Sequence, residues 1–213
     1  MLSALSTALL GFLLGLRHAT DADHVVAVTA IVARERSLAR AARIGVWWGL
    51  GHTLTVLVLG GAIIGFRLTM PPRLGLALEF GVALMLIVIG FSTLRPSAAA
   101  APTDAPDRRP FLVGTMHGLA GSAAVAVLVL ATIQDPWWAI VYLLVFGVGT
   151  IAGMLLVTVL IAAPSLWLGA RVERMQLGLR LVAGALSVVF GLLLARELTQ
   201  AGLFGGPMEW TPR

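Results

Sequence analysis

Apolar residues run through this chain in long blocks, separated by short stretches rich in arginine and proline. No stretch shows the regular two-residue alternation of a strand in a β-barrel. Crossing the hydrocarbon core of a bilayer takes about 20 largely apolar residues in a helix. The blocks predict six such spans, at residues 2–33, 44–66, 74–94, 111–133, 138–163 and 177–196. The first is too long for one perpendicular crossing, so it is tilted, broken near its polar centre, or extended beyond the membrane. Residues 95–110, RPSAAAAPTDAPDRRP, lack apolar periodicity and read as a linker. They divide the chain into a first three-helix repeat at 1–94, a cytoplasmic linker at 95–110 and a second three-helix repeat at 111–213.

The polar stretches are asymmetric. Arg34, Arg36, Arg40, Arg43, Arg95, Arg108, Arg109, Arg171, Arg174 and Arg180 fall between spans on one side, and only Arg67, Arg73, Arg196 and Arg213 on the other. Basic residues collect in cytoplasmic loops, so the first group faces the cytoplasm and both termini face outward. The composition agrees with a polytopic all-α membrane bundle: 59% hydrophobic and 12% charged, where a soluble domain has about 25% charged residues. All 15 basic residues are arginine, and their place in the loops makes the net charge of +5 a matter of topology rather than nucleic-acid binding. With no cysteine, disulfides and thiolate metal sites are excluded. The start does not read as a secretory signal peptide, since its first basic residue is Arg17.

The two halves resemble each other in order. Gly15-Leu-Arg-His18 aligns with Gly114-Thr-Met-His117 at an offset of 99, and Val26-Ala-Val28 aligns with Val125-Ala-Val127 at the same offset. Gly49-Leu-Gly51-His52 aligns with Gly147-Val-Gly149-Thr150 at 98, and Leu74-Gly75-Leu76 with Leu177-Gly178-Leu179 at 103. Corresponding spans run in opposite directions, so the expected plan is a 3+3 inverted repeat. In secondary transporters this plan places the site at the repeat interface near mid-membrane.

Arg17-His18-Ala19-Thr20-Asp21-Ala22-Asp23-His24 lies inside the first apolar block. A charge at the centre of a membrane helix costs roughly 2.5–3.5 kcal/mol even on lenient scales, so such residues imply partners or a polar path. Imidazole with carboxylate is also a ligand set for borderline divalent metals. On an ideal helix His18, Asp21 and His24 fall in a band about 120° wide and rise about 9 Å, with Asp23 nearly opposite. That is too tall for one ion without a break in the helix or a ligand from elsewhere. Either the helix is interrupted within 18–24, or the ligands divide into an inner and an outer shell. The remaining histidines, His52 and His117, also lie within apolar spans beside glycine, so all four are intramembrane. The expected metal site is His18, Asp21, Asp23, His24, His52 and His117, around one cavity. Arg17 is a candidate counter-ion for the aspartates, and Glu79 a candidate proton carrier or interfacial group. Asp135 reads as a cap before Trp137 and Trp138, Trp47 and Trp48 as interfacial, and Met85, Met116 and Met154 as packing. Ser122, Thr150 and Thr53 are expected to bond to helix backbone.

Arg17-His18-Ala19-Thr20-Asp21-Ala22-Asp23-His24-Val25 resembles the H-x4-D-H signature of the nickel/cobalt transporter (NiCoT) family, with His18, Asp23 and His24 at the signature positions. Gly51-His52 resembles that family's G-H segment in the following span. The resemblance implies secondary uptake of Ni²⁺ or Co²⁺ across a bacterial cytoplasmic membrane, with both segments on the permeation path. It implies no catalytic activity, and no cofactor besides the transported ion. The chain departs from the family in having about six spans rather than about eight. It also lacks the L-G-x-D-T-A-T-E segment of the second half, where Val113–Ser122 carries His117 and no carboxylate. It is similar in this to short nickel-permease-like proteins sometimes linked to urease clusters. The expected partners are a divalent metal ion and the lipid bilayer; nucleic acid is not among them, and the oligomeric state is left open. Two other classes fit less well. An intramembrane metalloenzyme needs a base to activate water, and no H-E-x-x-H is present. An exporter of small anions or amino acids would use Arg17, but the two aspartates oppose it.

Overall fold

A computed structural model describes residues 4–33, 35, 37–66, 71–95, 108–119, 133, 135–167 and 173–205. These form seven helices and no strand among the described residues: α1 (Ala4–His18), α2 (Ala22–Val32), α3 (Leu38–Phe66), α4 (Pro72–Leu94), α5 (Arg109–Leu119), α6 (Pro136–Trp167) and α7 (Glu173–Gln200). Four of them, α3, α4, α6 and α7, are long and apolar enough to span a bilayer alone. The chain is a multi-pass membrane protein of helical-bundle architecture.

Helix ends follow local chemistry. Asp135 Oδ1 accepts from the Trp137 amide at 2.8 Å and opens α6 just before Pro136, whose missing N–H costs nothing in a first turn. At the start of α3 the helix extends past the apolar block predicted at 44, over residues that are good helix formers. Glu35 Oε1 anchors that end, accepting from the Ser37 amide at 3.0 Å and pairing with Arg40 Nε at 2.9 Å. Of the predicted fourth span only α5 is described. Ser122 and the Val125–Val127 half of the repeat alignment lie outside the described residues, as does most of the 95–110 linker.

The first predicted span is broken. Thr20 N and Asp21 N donate to the carbonyls of Arg17 and His18 at 2.8 and 3.1 Å, closing α1 in tight turns. Asp21 then adopts extended backbone (φ −60, ψ 145) and α2 starts afresh. At about 1.5 Å per residue neither piece alone covers a hydrocarbon core of about 30 Å.

Relative directions follow from the contacts. Along α1, Gly11 packs on Tyr142, Gly15 on Phe146 and Thr150, and Ala19 on Gly153, so α1 runs parallel to α6. Gly51 and Gly118 place α5 parallel to α3 in the same way. Gly45 faces Met154, Gly49 faces Ile151 and Gly60 faces Leu143, so α3 and α6 are antiparallel. Gly90 meets Gly184 and Gly191 meets Ala83, so α4 and α7 are antiparallel too. At the end of α4, Thr93 Oγ1 donates to the Ala30 carbonyl at 3.1 Å. The α2 terminus therefore lies on the face where α4 ends, and α1 with α2 makes one interrupted crossing. Arg40, Arg43, Arg95, Arg108 and Arg109 stand at that same face, and Arg73 and Arg196 at the opposite one.

The closest approaches are reciprocal. A Cβ on Gly15 of α1 would strike the Phe146 carbonyl of α6; one on Gly114 of α5 would strike the Trp48 carbonyl of α3. Likewise Gly149 of α6 meets the Phe12 carbonyl, and Gly51 of α3 meets the Phe111 carbonyl. Offsets of 99 for α1 with α5 and 98 for α3 with α6 convert each contact into its counterpart. Only glycine permits such contact between backbones, and in lipid close packing is the chief source of helix association. Inter-helix hydrogen bonds assist: Thr53 Oγ1 donates to the Gly147 carbonyl at 3.2 Å and Ser187 Oγ to the Leu86 carbonyl at 2.8 Å. Outward positions are apolar, as in Leu5, Leu9 and Leu13 of α1, and face lipid.

Candidate metal site

Two buried apolar clusters lie on either side of the bundle's middle. One, toward the arginine-bearing face, joins Val28, Val32, Trp48, Leu86 and Met154; the other joins Val56, Ala139, Tyr142, Leu143 and Phe146. Between them sit all four histidines, delivered by four helices: His18 from the end of α1, His24 from the first turn of α2, His52 from mid-α3 and His117 from α5. His24, His52 and His117 are fully buried and His18 nearly so.

The break in the first span decides the geometry. It lets His24 fold back towards His18, to a ring separation of 4.7 Å. Asp21 stands at the N-cap of α2 yet makes no side-chain cap. Its carboxylate accepts from His18 Nδ1 at 2.8 Å instead, and so orients the ring. This leaves His18 Nε2 facing His52 Nε2 at 3.0 Å. Two nitrogens each about 2.1 Å from one ion, at right angles, lie about 3.0 Å apart. Asp23, the residue an unbroken helix would turn away, reaches His24 Nδ1 at 3.1 Å and His117 Nε2 at 3.6 Å. The ring of His117 lies 4.7 Å from that of His24.

The donor atoms form two groups, His18–His24–His52 and Asp23–His24–His117, in each of which one ligand atom per residue lies within 4.8 Å of the others. Among the described residues several buried ring nitrogens have no hydrogen-bond partner: His24 Nε2, His52 Nδ1 and both nitrogens of His117. The Val113 carbonyl, one turn back, also lies beside the His117 ring. A buried polar atom without a partner costs free energy that a ligand would recover. The two carboxylates bring two negative charges, the complement of one dication.

Among the candidates weighed from sequence, His18, Asp21, Asp23, His24, His52 and His117 are thus drawn together, Asp21 one step behind the others. Arg17 is not part of the group: it is exposed on α1 and makes no ion pair among the described residues, while both aspartates pair with histidine. Glu79 is buried in α4. Thr150 bonds within its own helix, but Thr53 bonds across to α6. Met154 packs in the core, as expected.

Trp48 overturns an expectation. Rather than sitting at the interface it is fully buried, stacked 6.3 Å from His24 and tilted 5.2 Å from His117, whereas its neighbour Trp47 is exposed. Successive helical residues point about 100° apart, so one of an adjacent pair can face lipid and the other the site. Phe146 lies correspondingly 5.6 Å from His18. The offset of 98 pairs Trp48 with Phe146 and was the available signal for both.

A family model described as high-affinity nickel-transport protein (NicO) matches residues 4–94, which include His18, Asp21, Asp23, His24 and His52. The chain is 37% identical over 205 residues to a urease accessory protein, UreH, of Bacillus sp. (strain TB-90), covering 88% of this chain and 90% of that protein. It is 37% identical over 78 residues to a high-affinity nickel transport protein of Cupriavidus necator, covering 36% of this chain and 22% of that one. No solved structure matches. With this much of its length shared, the chain belongs to the NicO family of nickel-transport proteins.

Proposed function

We propose that this protein is a secondary transporter that takes up Ni²⁺, with Co²⁺ as the next candidate, across a bacterial cytoplasmic membrane. The observation that carries the reading is the group of four buried histidines and two aspartates at mid-bundle, in a chain of a transport family. The names of its relatives, a nickel transport protein and a urease accessory protein, put nickel first. Membership of a transport family sets aside the metalloenzyme reading.

A dication in hydrocarbon must exchange its water for protein ligands. His18, Asp23, His24, His52 and His117 supply these, and Asp21 orients His18. The apolar clusters on either side of the site mark the two gates that must open in turn. The halves 1–94 and 111–213 act as inverted repeats, with 95–110 as the cytoplasmic connection; the reciprocal glycine contacts support this division. The arginine-bearing face is cytoplasmic and both termini lie outside.

The test is radiolabelled Ni²⁺ uptake into proteoliposomes, with Co²⁺, Zn²⁺ and Mn²⁺ as competitors. Saturable Ni²⁺ uptake by the wild type should vanish in His18→Ala and His24→Ala and nearly so in Asp23→Asn, with membrane expression unchanged. Wild-type rates in both histidine variants would refute the assignment.

A further inference from the structure

The two donor groups are not one ligand shell seen twice. Their non-shared members come from different helices, His18 and His52 from α1 and α3, Asp23 and His117 from α2 and α5. They also rest against different rings: Phe146 lies 5.6 Å from His18 and Trp48 lies 5.2 Å from His117. His24 lies between His18 and His117, 4.7 Å from each ring centre. Its Nδ1 faces Asp23, while its buried Nε2 has no partner among the described residues.

We propose that the ion occupies two successive positions, the first held by His18, His24 and His52 and the second by Asp23, His24 and His117, and that His24, common to both, passes it from one to the other. The inference rests on the transport reading above and specifies its path. The first position offers three imidazoles, and the second replaces one imidazole by a carboxylate. His24 releases neither ion nor charge into hydrocarbon during the step, because it stays a ligand while its partners change. Two dications this close repel strongly in a medium of low dielectric, so one ion at a time is held.

The repeat gives a physical origin for the pair of positions. His18 with Phe146, and His117 with Trp48, are counterparts under the offsets of 99 and 98. An inverted repeat turns one half-site facing outward into one facing inward. The symmetry is broken at His52, whose counterpart is Thr150, and at the described α2, which brings Asp23 and His24. Hence the two positions differ in ligands.

The test separates binding from transfer, using Ni²⁺ alone with purified protein in detergent. Equilibrium dialysis should give one bound ion for the wild type. His117→Ala should still bind one Ni²⁺, held by three imidazoles in its X-ray absorption spectrum, yet lose at least about tenfold in proteoliposome uptake. His18→Ala combined with His52→Ala should also bind one Ni²⁺, now with two imidazoles, and fail to transport. His24→Ala should lose binding at both. If His117→Ala is poorly folded by gel filtration, His117→Gln, which keeps polar bulk without an imidazole, gives the same readout. The relay is overturned if His117 variants bind as poorly as His24→Ala, which means one merged site, or if they transport at the wild-type rate. A wild type that neither binds nor carries Ni²⁺ would instead refute the transport reading itself.

Discussion

Replacing Gly114 by alanine adds one methyl group where α5 crosses α3. The new Cβ would strike the Trp48 carbonyl and approach the His52 amide at 3.0 Å. Both obstacles are backbone, so no flexible side-chain end can yield and the helices must part. Overpacking of this kind costs about 1–3 kcal/mol. Alanine's advantage over glycine within a helix, about 0.5–1 kcal/mol, offsets only part of that. The same displacement moves His117, one turn along α5, away from a ring now 4.7 Å distant. A misplacement of about 1 Å at a site can lower a rate by about 100-fold. Gly114→Ala should therefore reduce both the temperature at which the detergent-purified protein leaves its gel-filtration peak and the rate of Ni²⁺ uptake. Gly61→Ala is the control: no described residue lies within 4 Å of its Cβ, so it should hold or raise stability and leave uptake unchanged. Gly15→Ala meets the reciprocal contact with Phe146 and should behave like Gly114→Ala. If Gly114→Ala matches Gly61→Ala in both measurements, the close backbone crossing is not what positions the site.

Asp21→Asn should weaken Ni²⁺ affinity by about 10–100-fold, measured by equilibrium dialysis, because it removes the charge that orients a ligand from behind. Helix α2 should persist, since asparagine is as good an N-cap as aspartate and the Asp21 side chain makes no cap here. Apparent Ni²⁺ affinity should fall as pH falls, because imidazole and carboxylate bind metal only in their deprotonated forms. Proton release on binding, read by calorimetry in buffers of different ionisation enthalpy, checks this; heats independent of buffer would contradict it. The cysteine-free background allows the topology to be mapped in intact cells. A cysteine introduced at Ala39 or Ala100 should be shielded from an impermeant thiol reagent and one at Thr69 should label, and labelling at Ala39 would reverse the orientation.

The sequence alone determined a good deal of this protein. In a bilayer the solvent is uniformly apolar, so length and hydropathy identify spans residue by residue, and the loop arginines show which span ends share a face. For the same reason four histidines and two aspartates inside apolar spans stand out as candidates for a site, since hydrocarbon tolerates them only with partners. Weak identity at constant offsets also revealed the relation between α1 and α5 and between α3 and α6. Tertiary structure decided the rest. The break at Ala19–Asp21 depends on Asp21 binding His18 rather than capping α2, a choice that composition around 18–24 left open. The break in turn brings Asp23, placed on the far side by an ideal helix, to His24 and His117. Trp48 faces the site and Trp47 faces lipid because of where α5 crosses α3, and that crossing is set by glycines meeting carbonyls on another helix. Hydropathy is a property of each residue by itself, whereas a ligand set is a property of which backbones can approach closely, and only the packed bundle specifies that.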